Sequence, residues 1–189
     1  LSQQDLVVPQ PKTLHEFVGI ANYLENIGDV IDKNLMENAR KRIASNIGVS
    51  PSTMAVLRPI EQEVLQAFGQ ALTALETGDR SSALEAIESK EKVNQLADVA
   101  TEHLAKRLVA SEPNRLTAFK IETNVIENLK RLNTLTRRIA RTVLIEEGKS
   151  SSDDLKTEIR IVESKLDETK PTTDAQTLPE TKEQNIDTE

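Results

Sequence analysis

The chain has no cysteine and no tryptophan, and only three phenylalanines and one tyrosine among 189 residues. Without cysteine there is no disulfide framework, no thiolate nucleophile and no thiolate metal site, and the composition fits a reducing compartment. An aromatic share of 2% argues against a β-sandwich or barrel, whose strands draw on aromatic and β-branched residues. No run of 18 apolar residues occurs, so no segment reads as a membrane-spanning helix, and no signal-peptide pattern is visible. Glycine and proline are few, at 6 and 7, and gather at breaks. The first residue is Leu1 rather than Met, which suggests a piece of a longer protein.

What is present is charge, and it is unevenly placed. The net charge is −7, but residues 150–189 hold 11 acidic and 5 basic side chains, a net of −6. The remaining 19 basic and 20 acidic residues nearly cancel. The acidity therefore belongs to the tail, and a large nucleic-acid footprint is not expected.

Start and stop signals divide the chain into four helices, an all-α antiparallel bundle over residues 13–148. The first opens at Thr13 with Glu16 three residues on, the pattern of a capping box. Its apolar row is Leu14, Phe17, Ala21, Leu24, Ile31 and Leu35, and it stops near Gly48. Ser50-Pro51 caps the second, with Leu57, Ile60, Val64, Phe68, Ala71 and Leu75 before Gly78. Pro59 suggests a start nearer Arg58. Asp79 and Ser82 restart the third, with Val93, Leu96, Ala100, Leu104 and Leu108. The fourth begins at Pro113 and carries Leu116, Phe119, Ile126, Leu129, Leu132, Leu135, Ile139 and Val143 up to Gly148. Mixed steps of three and four favour a globular bundle over a coiled coil, which needs strict heptads. Residues 149–189 read as an acidic tail, with a short helix over 153–167 carried by Leu155, Ile159, Val162 and Leu166, and disorder beyond about Lys170.

Chemistry-bearing patterns are few. There is no Gly-rich phosphate loop, nucleophile elbow or zinc-ligand spacing, so no enzymatic constellation can be named. His15 and His103 read as surface or packing residues. The exception is Leu24-Glu25-Asn26-Ile27-Gly28-Asp29. Glu25 and Asp29 are four apart, which puts both carboxylates on one helix face. Gly28 costs roughly 1 kcal/mol of helix stability relative to alanine, so something is expected to pass close to the backbone there. The pair reads either as a metal or partner site or as a structural pair matched by a base. Glu91, Asp98 and Glu102 form a second acidic row on the third helix. Lys130, Arg137 and Arg141 form a basic row on the fourth, either a contact face or a solvated one.

The motif at Leu24–Asp29 resembles the acidic motif of PhoU domains, Leu-Glu-Arg-Ile-Gly-Asp in its commonest form. Such domains are similar to a pair of three-helix units, the third helix of each bearing the motif. By that resemblance the first helix here is the third helix of an incomplete unit, residues 1–12 are a linker from a missing upstream region, and the other three helices form a complete unit. His103 with Arg107-Leu108 fits a pattern before the last helix. The resemblance covers residues 1 to about 148. It departs at Leu129-Lys130-Arg131-Leu132-Asn133-Thr134, where Lys130 and Thr134 replace the glutamate and aspartate. Iron or zinc clusters need anionic oxygens, so a lysine there removes a ligand and adds repulsion. No cofactor is expected, although Glu25 and Asp29, with Glu91 and Asp98, remain the metal candidates. Lys130 is expected to face Glu25 or Asp29 in place of the lost metal charge.

The resemblance implies a regulatory domain of a bacterial sodium-dependent inorganic phosphate cotransporter. It would sit on the cytoplasmic face of the inner membrane with the membrane domain of the same polypeptide as partner. The alternative is a soluble, metal-binding PhoU-type regulator of phosphate uptake signalling. In either case the first helix, deprived of upstream partners, is expected to expose an apolar row and to self-associate or take up the tail.

Overall fold

The computed structural model describes residues 11–109 and 114–147. The expected linker at the start, the tail and its short helix lie outside the described residues. Within them the chain is helical throughout, with short breaks. The first rod is continuous but has three parts, α1 (Pro11–Asp29), a π-helical stretch (Val30–Leu35) and α2 (Met36–Ala44). Then come α3 (Pro51–Thr77), α4 (Arg80–Leu108) and α5 (Arg115–Glu147).

The breaks follow from local chemistry. The first rod starts at Pro11, two residues before the expected Thr13. A proline already has helical φ and its missing N–H is not needed in a first turn. Ser50 caps α3 by accepting from the Thr53 N–H at 3.1 Å. Pro59 does not delay that helix and sits inside it. The carbonyl it deprives of a donor belongs to Ala55, on the exposed side, where water can take the bond. Gly78 ends α3 at φ 73°, a left-handed conformation that glycine adopts without a Cβ penalty. Asp79 caps α4, accepting from the Ser82 N–H at 2.8 Å and the Ser81 N–H at 3.4 Å. The Ser82 hydroxyl and amide hold its carboxyl below the usual carboxylate range.

Helices α3, α4 and α5 pack as an antiparallel three-helix unit. Glu63 pairs with Lys92 and Gln70 donates to Glu85 across α3 and α4, so numbering rises on one as it falls on the other. Ala67, Ala71, Ala74, Ala83, Ala86, Ala97 and Ala100 are buried, and small side chains let helices approach closely. Ile60, Ile87, Leu104, Ile126, Ile139 and Leu144 fill the space between. Each contributes roughly 1.5–3 kcal/mol by leaving water. The first rod lies antiparallel on α5. It contributes Ile20, Ile27 and Val30 to the same core, with Tyr23 and Leu35 packed beside them. Of the row read from the sequence only Leu35 packs on the core. Leu14, Phe17, Ala21, Leu24 and Ile31 are exposed, because the inward row is offset from it around the helix.

Ile139 sits wholly buried in the core, whereas Leu65 on α3 is 60% exposed. Ile139→Ala should therefore cost about 2–5 kcal/mol in a urea titration, and Leu65→Ala no more than about 0.5 kcal/mol.

Candidate functional site

The seam between the first rod and α5 carries the motif residues. Ile27 and Val30 anchor it from one side, Leu129 and Leu132 from the other. Glu25, just before these anchors, is exposed. Asp29 is half exposed and takes Lys33 one turn on, at 2.8 Å. That bond holds the Lys33 ammonium above its usual range, with the Asp29 charge adding to it. A Cβ at Gly28 would meet nothing within 4 Å, so the expected close approach to its backbone does not occur among the described residues.

Lys130 does not meet Glu25 or Asp29. It lies 3.8 Å from Glu127 on its own helix, and the Thr134 hydroxyl donates to its carbonyl at 3.0 Å. The physical reason is proximity, since each cation finds a carboxylate one turn away without crossing the seam. The basic row also divides. Arg137 is buried, 6% exposed, and its Nε donates to the Ile87 carbonyl on α4 at 2.9 Å. Arg141 is half-buried. Lys130, Arg137 and Arg141 therefore share no outward face. On α5 the exposed cations beside the seam are Arg131 and Arg138, the latter 5.9 Å from the Tyr23 ring centroid.

The acidic row on α4 is spread along the helix. Glu91 accepts from Gln95 at 3.0 Å, Asp98 is exposed, and Glu102 pairs with Lys106. Among the described residues no three His, Asp or Glu side chains converge as a metal site. The donor set at the seam does not suit a multinuclear cluster either. Asp29 is already engaged by Lys33, and Lys130 brings a positive charge where the aligned motif has a carboxylate.

Several features escape sequence reading. A π-helical stretch follows the motif directly, and within and beyond it the positions turned toward α5 are polar, Asn34 and Asn38 among them. Asn34 donates to Asn128 and Asn38 to Asn124, each at 2.8 Å, and Asn128 donates to the Asn124 carbonyl at 2.8 Å. Beside this ladder is an open cleft of about 490 Å³, lined by Lys33, Glu37, Lys41, Glu127 and Arg131 among others. A smaller one of about 270 Å³ lies between Asn22, Asn26, Thr134 and Arg138. The two asparagine pairs, each four apart, were the available signal. Nothing in the sequence marks the π turn.

At the other end of α5 a charged cluster is buried. Arg115 is 8% exposed and Glu122 4%, and they lie 3.4 Å apart. Arg115 Nε also donates to the Arg107 carbonyl at 3.0 Å. Arg107 in turn donates to Ser50 and Thr53, tying α4 to the start of α3. Burial pushes the Glu122 carboxyl above the usual carboxylate range, against the pull of Arg115, Arg107 and Arg42.

These features define a helical bundle whose candidate site is an open, polar, charged seam. The PhoU domain model matches residues 57–164, more than half of the chain, and the chain belongs to the PhoU family. The match spans α3 to α5 and leaves out the first rod with its Leu24–Asp29 motif. No curated protein and no solved structure matches the chain. Among the described residues no helix is long and apolar enough to cross a membrane.

Glu122 yields a pH test. Its folded carboxyl binds a proton more tightly than in the unfolded chain, so the folded state gains stability on acidification. That gain is lost as pH rises from the ordinary glutamate range through the raised value. Relative to Glu122→Gln, which keeps the shape and cannot titrate, the wild-type urea midpoint should fall with rising pH across that interval. Parallel pH profiles for the two proteins would contradict it.

Proposed function

We propose that this PhoU domain regulates phosphate uptake by protein contact rather than by holding a metal cluster. The observation that carries the reading is the family match over α3 to α5. The seam supports contact. It offers exposed Arg131 and Arg138 beside two open polar clefts, a surface suited to an acidic segment of a partner. Lys130 and Thr134, at the positions where the aligned motif carries carboxylates, weigh against the alternative of a metal-binding regulator.

A second reading makes the domain the cytoplasmic regulatory region of a sodium-dependent inorganic phosphate cotransporter, held at the inner membrane by the same polypeptide. Its support is the likeness of Ala21–Asp29 to the third helix of a preceding unit, followed by one complete unit.

Uptake of labelled inorganic phosphate in cells lacking the gene tests both. Loss of the protein should alter how uptake responds to external phosphate, and the full gene should restore it. Arg131→Glu with Arg138→Glu should fail to restore it, whereas Glu25→Ala with Asp29→Ala should succeed. Unchanged uptake in the deletion strain would overturn the reading. Rescue that depends on the carboxylates and not on the arginines would restore the metal alternative. Recovery of the protein only in the detergent-extracted membrane fraction would favour the cotransporter.

A further inference from the structure

Where the loop after α2 passes the start of α5, the chain leaves a cleft of about 410 Å³. Small-molecule sites span roughly 300–1,000 Å³. Its walls are the loop 46–50 on one side and the ends of α4 and α5 on the other. The charge on these walls has one sign. Arg107 and Arg115 line the cleft, and no carboxylate does among the described residues. Glu122 pairs with Arg115 but is not part of the lining. Arg42 is a third cation, near enough to pull on the Glu122 carboxyl. Two helices also begin at the rim, α3 after Ser50 and α5 after Asn114. The positive ends of their dipoles add to the field there.

Arg115 is the decisive group. Buried polar groups ordinarily have their hydrogen bonds made. Arg115 is 8% exposed, yet it spends only two of its five N–H groups. One goes to the Arg107 carbonyl at 3.0 Å. The other goes to Glu122 at 3.4 Å, long for a bond between charged groups. The others have no acceptor among the described residues. A guanidinium in that condition on a cleft wall is short of an oxyanion, to which it can give two parallel N–H bonds. The rest of the lining supplies an apolar surface. Ile47 and Val49 are half-buried and Ala118 is buried. Asn46 and Asn114, both on the lining, have left-handed backbones with φ 50° and 60°. Side chains held in that region cost stability, and such positions gather at ligand sites.

We propose that this cleft binds a small organic anion, with a phosphate or carboxylate head on the Arg115 guanidinium and an apolar body against Ile47, Val49 and Ala118. Arg107 adds its charge to the same wall. The inference uses no residue of the seam and is independent of the proposed function.

Isothermal titration of the full chain with phenyl phosphate and with benzoate tests it. One or both should bind saturably in the millimolar range, the tighter identifying the head. Inorganic phosphate, which has no apolar body, should bind several-fold more weakly than phenyl phosphate. Benzyl alcohol, which has the body and no charge, should give no saturable heat. Asn114→Asp places a carboxylate at the rim without changing shape, and aspartate tolerates the left-handed backbone. It should weaken the tighter acid several-fold. Gln62→Glu, on the exposed side of α3 about 18 Å along the helix from Ser50, makes the same charge change and should leave binding as it is. Glu122→Gln should still bind. Arg115→Gln added to it leaves neither charge of the buried pair alone, and should abolish binding while urea unfolding stays cooperative. No saturable binding of either acid would overturn the proposal. So would binding that survives the loss of Arg115, or equal weakening by Asn114→Asp and Gln62→Glu, the mark of general charge attraction. Inorganic phosphate binding as tightly as phenyl phosphate would overturn the organic body in favour of a bare oxyanion site.

Discussion

The structure depends on one helix burying three sides at once. α5 packs against α3, α4 and the first rod, and its apolar positions have to serve each of them. Ile126, Ile139, Ala140 and Leu144 are almost wholly buried, and even Asn128, Asn133, Thr136 and Arg137 are covered. Polar groups in such a place must find partners or cost stability. They do so by tying α5 to its neighbours. Asn133 reaches Ser89 at 2.8 Å, Arg137 reaches the Ile87 carbonyl, and Asn128 reaches Asn34. The fourth helix is therefore a spine and not a basic surface.

That constraint sets the character of the candidate seam. The first rod touches the spine along one side, partly through Ile20, Ile27 and Val30 and partly through the asparagine ladder. Among the described residues its other side is uncovered. The acidic motif falls between the two, where Asp29 meets Lys33 on its own helix rather than a group across the seam. A surface of exposed local ion pairs, open clefts and adjacent arginines suits reversible contact better than enclosure of a small ligand. The PhoU assignment and the open seam thus point the same way, to a regulatory module.

Much of this was legible in the sequence. The caps at Ser50 and Asp79 and the stop at Gly78 each act through local chemistry, and each sits where the residue types demand. The apolar rows of the last three helices point inward with few exceptions, Leu108 and Leu116 among them. The first helix was harder, because it carries two apolar rows and periodicity alone does not say which is buried. The site was less legible still. Arg137 looks like a surface cation until α4 is placed beside it. Lys130 can be matched to Asp29 until the nearer partners are counted, Glu127 for the one and Lys33 for the other, each on the same helix. The π-helical stretch has no sequence signature, and Asn34 and Asn38 escaped notice because an apolar count passes over polar residues on the buried row. Glu122 and Arg115 are seven apart on one helix, but their burial depends on Arg107 and the start of α3 closing over them.

The central claim is that α3 to α5 form the stable unit and that, among the described residues, the first rod is held to it chiefly through the spine. Native-state hydrogen exchange on the full chain tests it most directly. The account predicts that amides of Ile20 to Asn38 open at a lower free energy than those of Ile87 to Leu104 and Ile126 to Val143, which should exchange together at the global limit. Equal protection across all of them, or greater protection in the first rod, would contradict it.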